Sequence, residues 1–138
     1  MTTTTPPLTD QLSLSAITVF TEDLDECREF YARVFGFDPI FTDDDSAAYR
    51  FGPTIVNLLR DRAAGELIAP AEVGGPGLPR YVLTLDVEDV DATCELLAQR
   101  GVGLLNGPMD RPWGVRTASF VDPAGQVWEI AHSLKGKS

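Results

Sequence analysis

The sequence predicts an α+β fold made of two repeated strand–helix–three-strand modules, and three observations predict it. The acidic run Glu22-Asp23-Leu24-Asp25 returns as Glu88-Asp89-Val90-Asp91 at a spacing of 66 positions. Each run follows a β-branched stretch and opens an amphipathic one. Gly36 and Gly101 then close the two helical stretches after nearly equal lengths. Three short β-prone stretches follow each helix. One acidic helix start arises easily by chance; a shared order and spacing point to an internal repeat.

In chain order, residues 1–11 are Thr- and Pro-rich and are expected to form a flexible tail. A single domain is expected over 12–133, with module one at 12–62, a linker at 63–79, module two at 80–133, and a polar tail at 134–138. Leu14–Phe20 alternates like a strand. Leu24, Cys27, Phe30, Tyr31, Val34 and Phe35 recur at helical spacing. Phe37–Thr42, Ala47–Phe51 and Thr54–Leu59 read as strands, with turns at Asp43-Asp44-Asp45 and Gly52-Pro53. Arg60–Pro79 is rich in Gly, Pro and Ala, and its length marks it as a linker or a functional loop. Tyr81–Val87 reads as a strand, and Val90, Cys94 and Leu97 carry the second helix. Val102–Asn106 reads as a strand and Gly107–Pro112 as a loop. Val115–Val121 and Gln126–Ala131 form a hairpin around Asp122-Pro123-Ala124-Gly125, a sequence suited to a type I turn.

Composition narrows the function classes. The chain has 138 residues, 43% of them apolar, enough for one domain with its own core. Its net charge of −10 argues against nucleic acid or an anionic membrane surface as partner. The same charge suits a cationic ligand, and it also serves solubility. No apolar run reaches membrane-span length and no signal peptide is visible. Cys27 and Cys94 fall in the two helices and read as free thiols, so a cytoplasmic location is expected.

Strand parity singles out a face. Ile17, Val19, Val56, Leu58, Leu83, Leu85, Val87, Trp128 and Ile130 form an apolar face for the helices. The opposite face mixes polar and apolar groups: Ala16, Thr18 and Phe20; Ile55, Asn57 and Leu59; Val82, Thr84 and Asp86; Val127, Glu129 and Ala131. Such a face is solvent-exposed or lines a cavity. Glu129, a carboxylate inside an apolar run, is its most informative member. It can anchor a cation or act as a general base, or it can rest satisfied by Thr18 or Thr84. Asn57 stands beside it as a hydrogen-bonding group, and Phe20, Leu59 and Val82 supply an apolar floor. Trp113, in a Pro-Gly loop, can cover a cavity mouth or plug its end. Arg116 can bind an anionic group or pair with Asp122. His132, the one histidine, falls on the opposite parity and is expected at the surface.

The residues Thr21-Glu22-Asp23-Leu24-Asp25, Phe30-Tyr31, Phe35-Gly36-Phe37, Asp122-Pro123-Ala124-Gly125 and Trp128-Glu129-Ile130 resemble the vicinal oxygen chelate superfamily. That superfamily is also called the glyoxalase/bleomycin resistance/extradiol dioxygenase group. The resemblance implies two βαβββ modules forming a cup-shaped mixed sheet, helices on its outer face, and a homodimer. It also implies four metal-ligand positions, which fall here on Ala16, Asn57, Val82 and Glu129. Ala16 and Val82 offer no donor, so no cofactor is expected, and a divalent metal belongs only to an enzymatic alternative. The stretch Pro112-Trp113-Gly114-Val115-Arg116 is similar to bleomycin-binding proteins. The leading expectation is metal-independent binding of a small organic, cationic molecule by Glu129, Asn57, Trp113, Phe20, Thr18, Leu59, Val82, Thr84 and Arg116. The alternatives are a glyoxalase-type lyase, isomerase or dioxygenase using Glu129, and a structural or regulatory domain with no small ligand.

Overall fold

The computed structural model describes residues 5–6, 8, 13–75, 77, 79 and 81–135. Most of the expected N-terminal tail, the domain start at Leu12 and the last three positions of the C-terminal tail lie outside the described residues. Module one comprises β1 (Ala16–Thr21), α1 (Leu24–Val34), β2 (Phe41–Thr42), β3 (Ser46–Phe51) and β4 (Thr54–Arg60). A short helix, α2 (Asp61–Ile68), follows. Module two comprises β5 (Val82–Asp86), α3 (Val90–Gln99), β6 (Asn106–Asp110), β7 (Val115–Val121) and β8 (Val127–Ser133). Each module folds its strands into an open four-stranded sheet, ordered β1-β4-β3-β2 in sheet A and β5-β8-β7-β6 in sheet B. β1 pairs with β4 and β5 with β8 in parallel; the other pairs are antiparallel. The α+β class and the repeat are as the sequence predicts. Among the described residues no helix is long and apolar enough to cross a membrane.

The repeat is visible in its caps. Asp23 accepts a hydrogen bond from the Glu26 N–H at 3.0 Å, and Asp89 accepts one from the Ala92 N–H at 3.2 Å. Both satisfy orphan donors of a first helical turn. Gly36 and Gly101 both adopt φ +79°, which ends each helix in a conformation that side chains resist. At these ends the modules exchange arginines. Arg33 on α1 donates to the Arg100 carbonyl at 3.0 Å, and Arg100 donates to the Val34 carbonyl at 2.8 Å. Each guanidinium satisfies the negative end of the other module's helix.

One core joins the modules. The apolar face of sheet A (Val19, Tyr49, Val56, Leu58) and that of sheet B (Phe120, Trp128, Ile130) are buried in a single cluster with the α1 and α3 residues Leu24, Tyr31, Val34 and Leu97. The Trp128 ring lies 6.0 Å from Tyr31, 5.1 Å from Phe35 and 5.2 Å from Phe51, centroid to centroid. Asp122 fastens this contact. It is 4% exposed, and its Oδ2 accepts from Tyr31 Oη at 2.8 Å and Trp128 Nε1 at 3.0 Å. Its Oδ1 accepts from the N–H groups of Ala124 and Gln126, which shapes the turn.

Four expectations need correction. The strand expected at Phe37–Thr42 is only the two-residue β2. The loop Arg60–Pro79 contains α2. This helix is short, lacks a side-chain N-cap and carries Gly65, which lowers its intrinsic propensity; the fully buried Ala64 anchors it. The strand expected at Val102–Asn106 and the loop expected at Gly107–Pro112 are displaced, because β6 runs through Gly107-Pro108. Gly107 has φ +87°, and an added Cβ would stand 2.5 Å from the Thr117 carbonyl oxygen. The register shifts between Asn106 and Met109, so the Gly-Pro pair forms an irregularity on an edge strand, where Pro removes no ladder bond. Finally, Arg116 does not pair with Asp122. It pairs with Asp110 at 2.8 Å and Asp91 at 3.0 Å.

Candidate functional site

The mixed faces of the two sheets carry the same local arrangement. On sheet A, Thr18 lies opposite Asn57; on sheet B, Thr84 lies opposite Glu129. In the second pair Thr84 Oγ1 donates to Glu129 Oε1 at 2.9 Å, so one of the two carboxylate oxygens has a partner within the chain. Asn57 is half-buried and its amide has no side-chain hydrogen bond among the described residues. Phe20 and Leu59 flank Thr18 and Asn57 and are half-buried. Val82, beside Thr84 and Glu129, is 46% exposed and forms no closed floor.

The two arrangements do not meet in one chain. Both apolar faces enter the shared core, so by parity both mixed faces point away from it. Asn57 and Glu129 therefore belong to separate surfaces. Trp113 stands apart from both. It is 69% exposed in the β6–β7 turn, with the Arg111 guanidinium 5.8 Å from its ring centroid, so it plugs nothing. Ser119 is the β7 partner of Glu129, and Val115 at the start of β7 is already about 13 Å from it by strand rise. Arg116 pairs across the ladder with His132, on the opposite parity to Glu129, so it is absent from the mixed face. Its two carboxylate partners raise its already high pKa. His132 is half-buried and has a defined partner: Nδ1 accepts from the Val90 N–H at 2.8 Å at the start of α3.

A cleft that the sequence marks only by a long loop brings other residues to the mixed face of β1. Thr18 and Phe20 line it together with Tyr81, Gln126 and the backbone of Gly74, Gly75 and Gly77, around a volume of about 320 Å3. A second lobe of about 230 Å3 shares Phe20, Gly74, Gly75 and Ala124. Its remaining wall is acidic, with Glu22, Asp23, Glu26 and Asp61. Asp61 at the start of α2 brings the fourth carboxylate to this lobe from a segment whose sequence reads as a loop.

The family's four metal-ligand positions divide between the two sheets. Ala16 and Val82 present hydrocarbon, and the two donors, Asn57 and Glu129, sit on different sheets. No three His, Cys, Asp or Glu side chains gather for a metal among the described residues. Nucleophilic cysteine chemistry is also poorly served. Burial pushes the Cys27 thiol up to about 11, and burial likewise raises Cys94.

Comparison with known proteins agrees with this architecture. The family model described as the Glyoxalase/Bleomycin resistance protein/Dioxygenase superfamily matches residues 13–130. The uncharacterised Bacillus subtilis (strain 168) protein YraH is 29% identical over 128 residues, covering 89% of this chain and all of that protein. A glyoxalase-related enzyme from Fulvimarina pelagi superposes with a TM-score of 0.75 at 26% identity, over 86% of each chain. A glyoxalase/bleomycin resistance protein/dioxygenase from Nocardioides superposes with a TM-score of 0.82 at 23% identity, covering 94% of this chain and 89% of that one.

Proposed function

The chain belongs to the glyoxalase/bleomycin resistance protein/dioxygenase superfamily, and from that premise we propose that it binds a small organic cation without a metal. The observation that carries this reading is the two-lobed cleft. One lobe offers the Phe20 and Tyr81 rings, and the adjoining lobe offers four carboxylates. A flat apolar body packs against the rings while an ammonium group lies toward Glu22, Asp23, Glu26 and Asp61. The net charge of −10 draws such a ligand in. Glu129 with Thr84, and Asn57 with Thr18, serve as further polar contacts when the mixed faces are brought together. A homodimer, the partner the resemblance implies, is the assembly that does this: sheet A of one copy faces sheet B of the other. The two free thiols support a reducing, cytoplasmic setting.

Calorimetric titration with phenethylamine, beside its neutral analogue 2-phenylethanol, tests the reading. Binding of the amine is expected to exceed that of the alcohol at least about tenfold and to weaken as salt rises. The Phe20→Ala variant is expected to lose most of it. Equal, salt-insensitive binding, or none, would set the reading aside. Turnover of a carbonyl substrate abolished by Glu129→Gln would put the enzyme alternative, with Glu129 as metal ligand or general base, in its place.

A further inference from the structure

A second pocket lies on the helical side, where the modules meet, away from both mixed faces and from the cleft. Phe35, Leu85 on β5, Thr93 and Leu96 on α3, and Ile130 on β8 form much of its wall, around about 180 Å3. That volume is enough for a benzene-sized guest, and the pocket opens to solvent beside the half-exposed Leu96. Arg100 is the one charged side chain in the lining. Its Nη1 is committed to the Val34 carbonyl, while Nε and Nη2 have no partner among the described residues. Arg33, Arg60, Arg62 and Arg116 each face a carboxylate. Arg28, Arg50, Arg100 and Arg111 face none among the described residues, and of these the exposed Arg100 is the one that borders the pocket. An arginine without a counter-ion, beside a hydrocarbon pocket, is complementary to an apolar anion.

We propose that this pocket binds a small monocarboxylate with a benzene-sized apolar body. The body fills the hydrocarbon wall, and the carboxylate takes the two free N–H groups of the guanidinium in a forked pair. The site is independent of the cation cleft, and each survives the failure of the other.

The test is a methyl-detected NMR titration of the intact protein with benzoate, and with toluene as the uncharged probe. Benzoate is expected to shift the methyl signals of Leu85, Leu96 and Ile130. Arg100→Gln removes the charge and the forked donor pair together with the bond to the Val34 carbonyl. It is expected to weaken benzoate about tenfold or more while leaving toluene unchanged, a split that loss of structure alone would not produce. Leu96→Phe fills the pocket from its half-exposed wall and is expected to abolish both. The proposal is overturned by methyl signals unmoved at millimolar benzoate, by equal benzoate affinity in Arg100→Gln, or by undiminished binding in Leu96→Phe.

Discussion

At the scale of residues, the informative carboxylates have exchanged roles. Glu129 stands out in the sequence because it interrupts an apolar strand, yet within the chain its one side-chain partner among the described residues is Thr84 across the ladder. Asp122 reads as an ordinary turn residue, yet it is the buried acceptor that ties α1 to sheet B through Tyr31 and Trp128. Turn chemistry is legible from four consecutive letters; a partner 91 positions away is not. Asp122→Ala leaves two buried donors unpaired and is expected to cost about 3–5 kcal/mol, read by urea unfolding. A smaller loss than Glu129→Gln would contradict this assignment. Cys27 adds a pH dependence. Its thiol ionises near 11 in the native state against an ordinary value of 9.0, because burial disfavours the thiolate. Between those values the unfolded chain releases a proton that the folded chain keeps, so stability is full below pH 9 and falls as pH rises toward 11. Burial and the neighbouring Asp122 also raise the Tyr31 phenol, which extends the decline upward. Unfolding midpoints of the wild type and Cys27→Ala, measured from pH 8 to 11, should converge as pH rises.

At the scale of elements, agreement follows the strength of local signals. α1 and α3 carry acidic caps, periodic apolar residues and terminal glycines, and they appear where the sequence places them. α2 opens on Asp61 and is amphipathic, but it has no side-chain cap and no terminal glycine, and its eight residues rest on the buried Ala64 and on packing against β4. β6 shows the reverse case. Gly107-Pro108 is a strong local loop signal, but an edge position and a close approach to β7 absorb it into a strand. That approach makes Gly107 irreplaceable in a way that Gly114 is not. Gly107→Ala forces a Cβ against the β7 backbone at positive φ and is expected to cost about 2–4 kcal/mol. Gly114 also has positive φ but opens onto free space, so Gly114→Ala should cost only about 1 kcal/mol. Similar thermal shifts for the two variants would refute the close-packing account of β6.

At the scale of the whole molecule, alternation read within single strands identified the apolar and mixed faces correctly, since it depends only on backbone geometry. It could not show that the two apolar faces share one core, because that depends on contacts between Trp128 and residues of the other module. The candidate site was therefore legible as a set of facing residues but not as a location, and the acidic lobe of the cleft needed α2 as well. The exchange of Arg33 and Arg100 has a consequence for covalent continuity. Each module supplies what the other's helix end lacks, and none of these bonds runs through the connecting segment. Peptide connection is then a matter of local concentration rather than of structure. Cleavage within 71–75, by an engineered protease site, is expected to leave two fragments that co-elute as one particle of unchanged size. Under denaturant they should separate and, on dilution, recombine with second-order kinetics, two half-length chains assembling as partners.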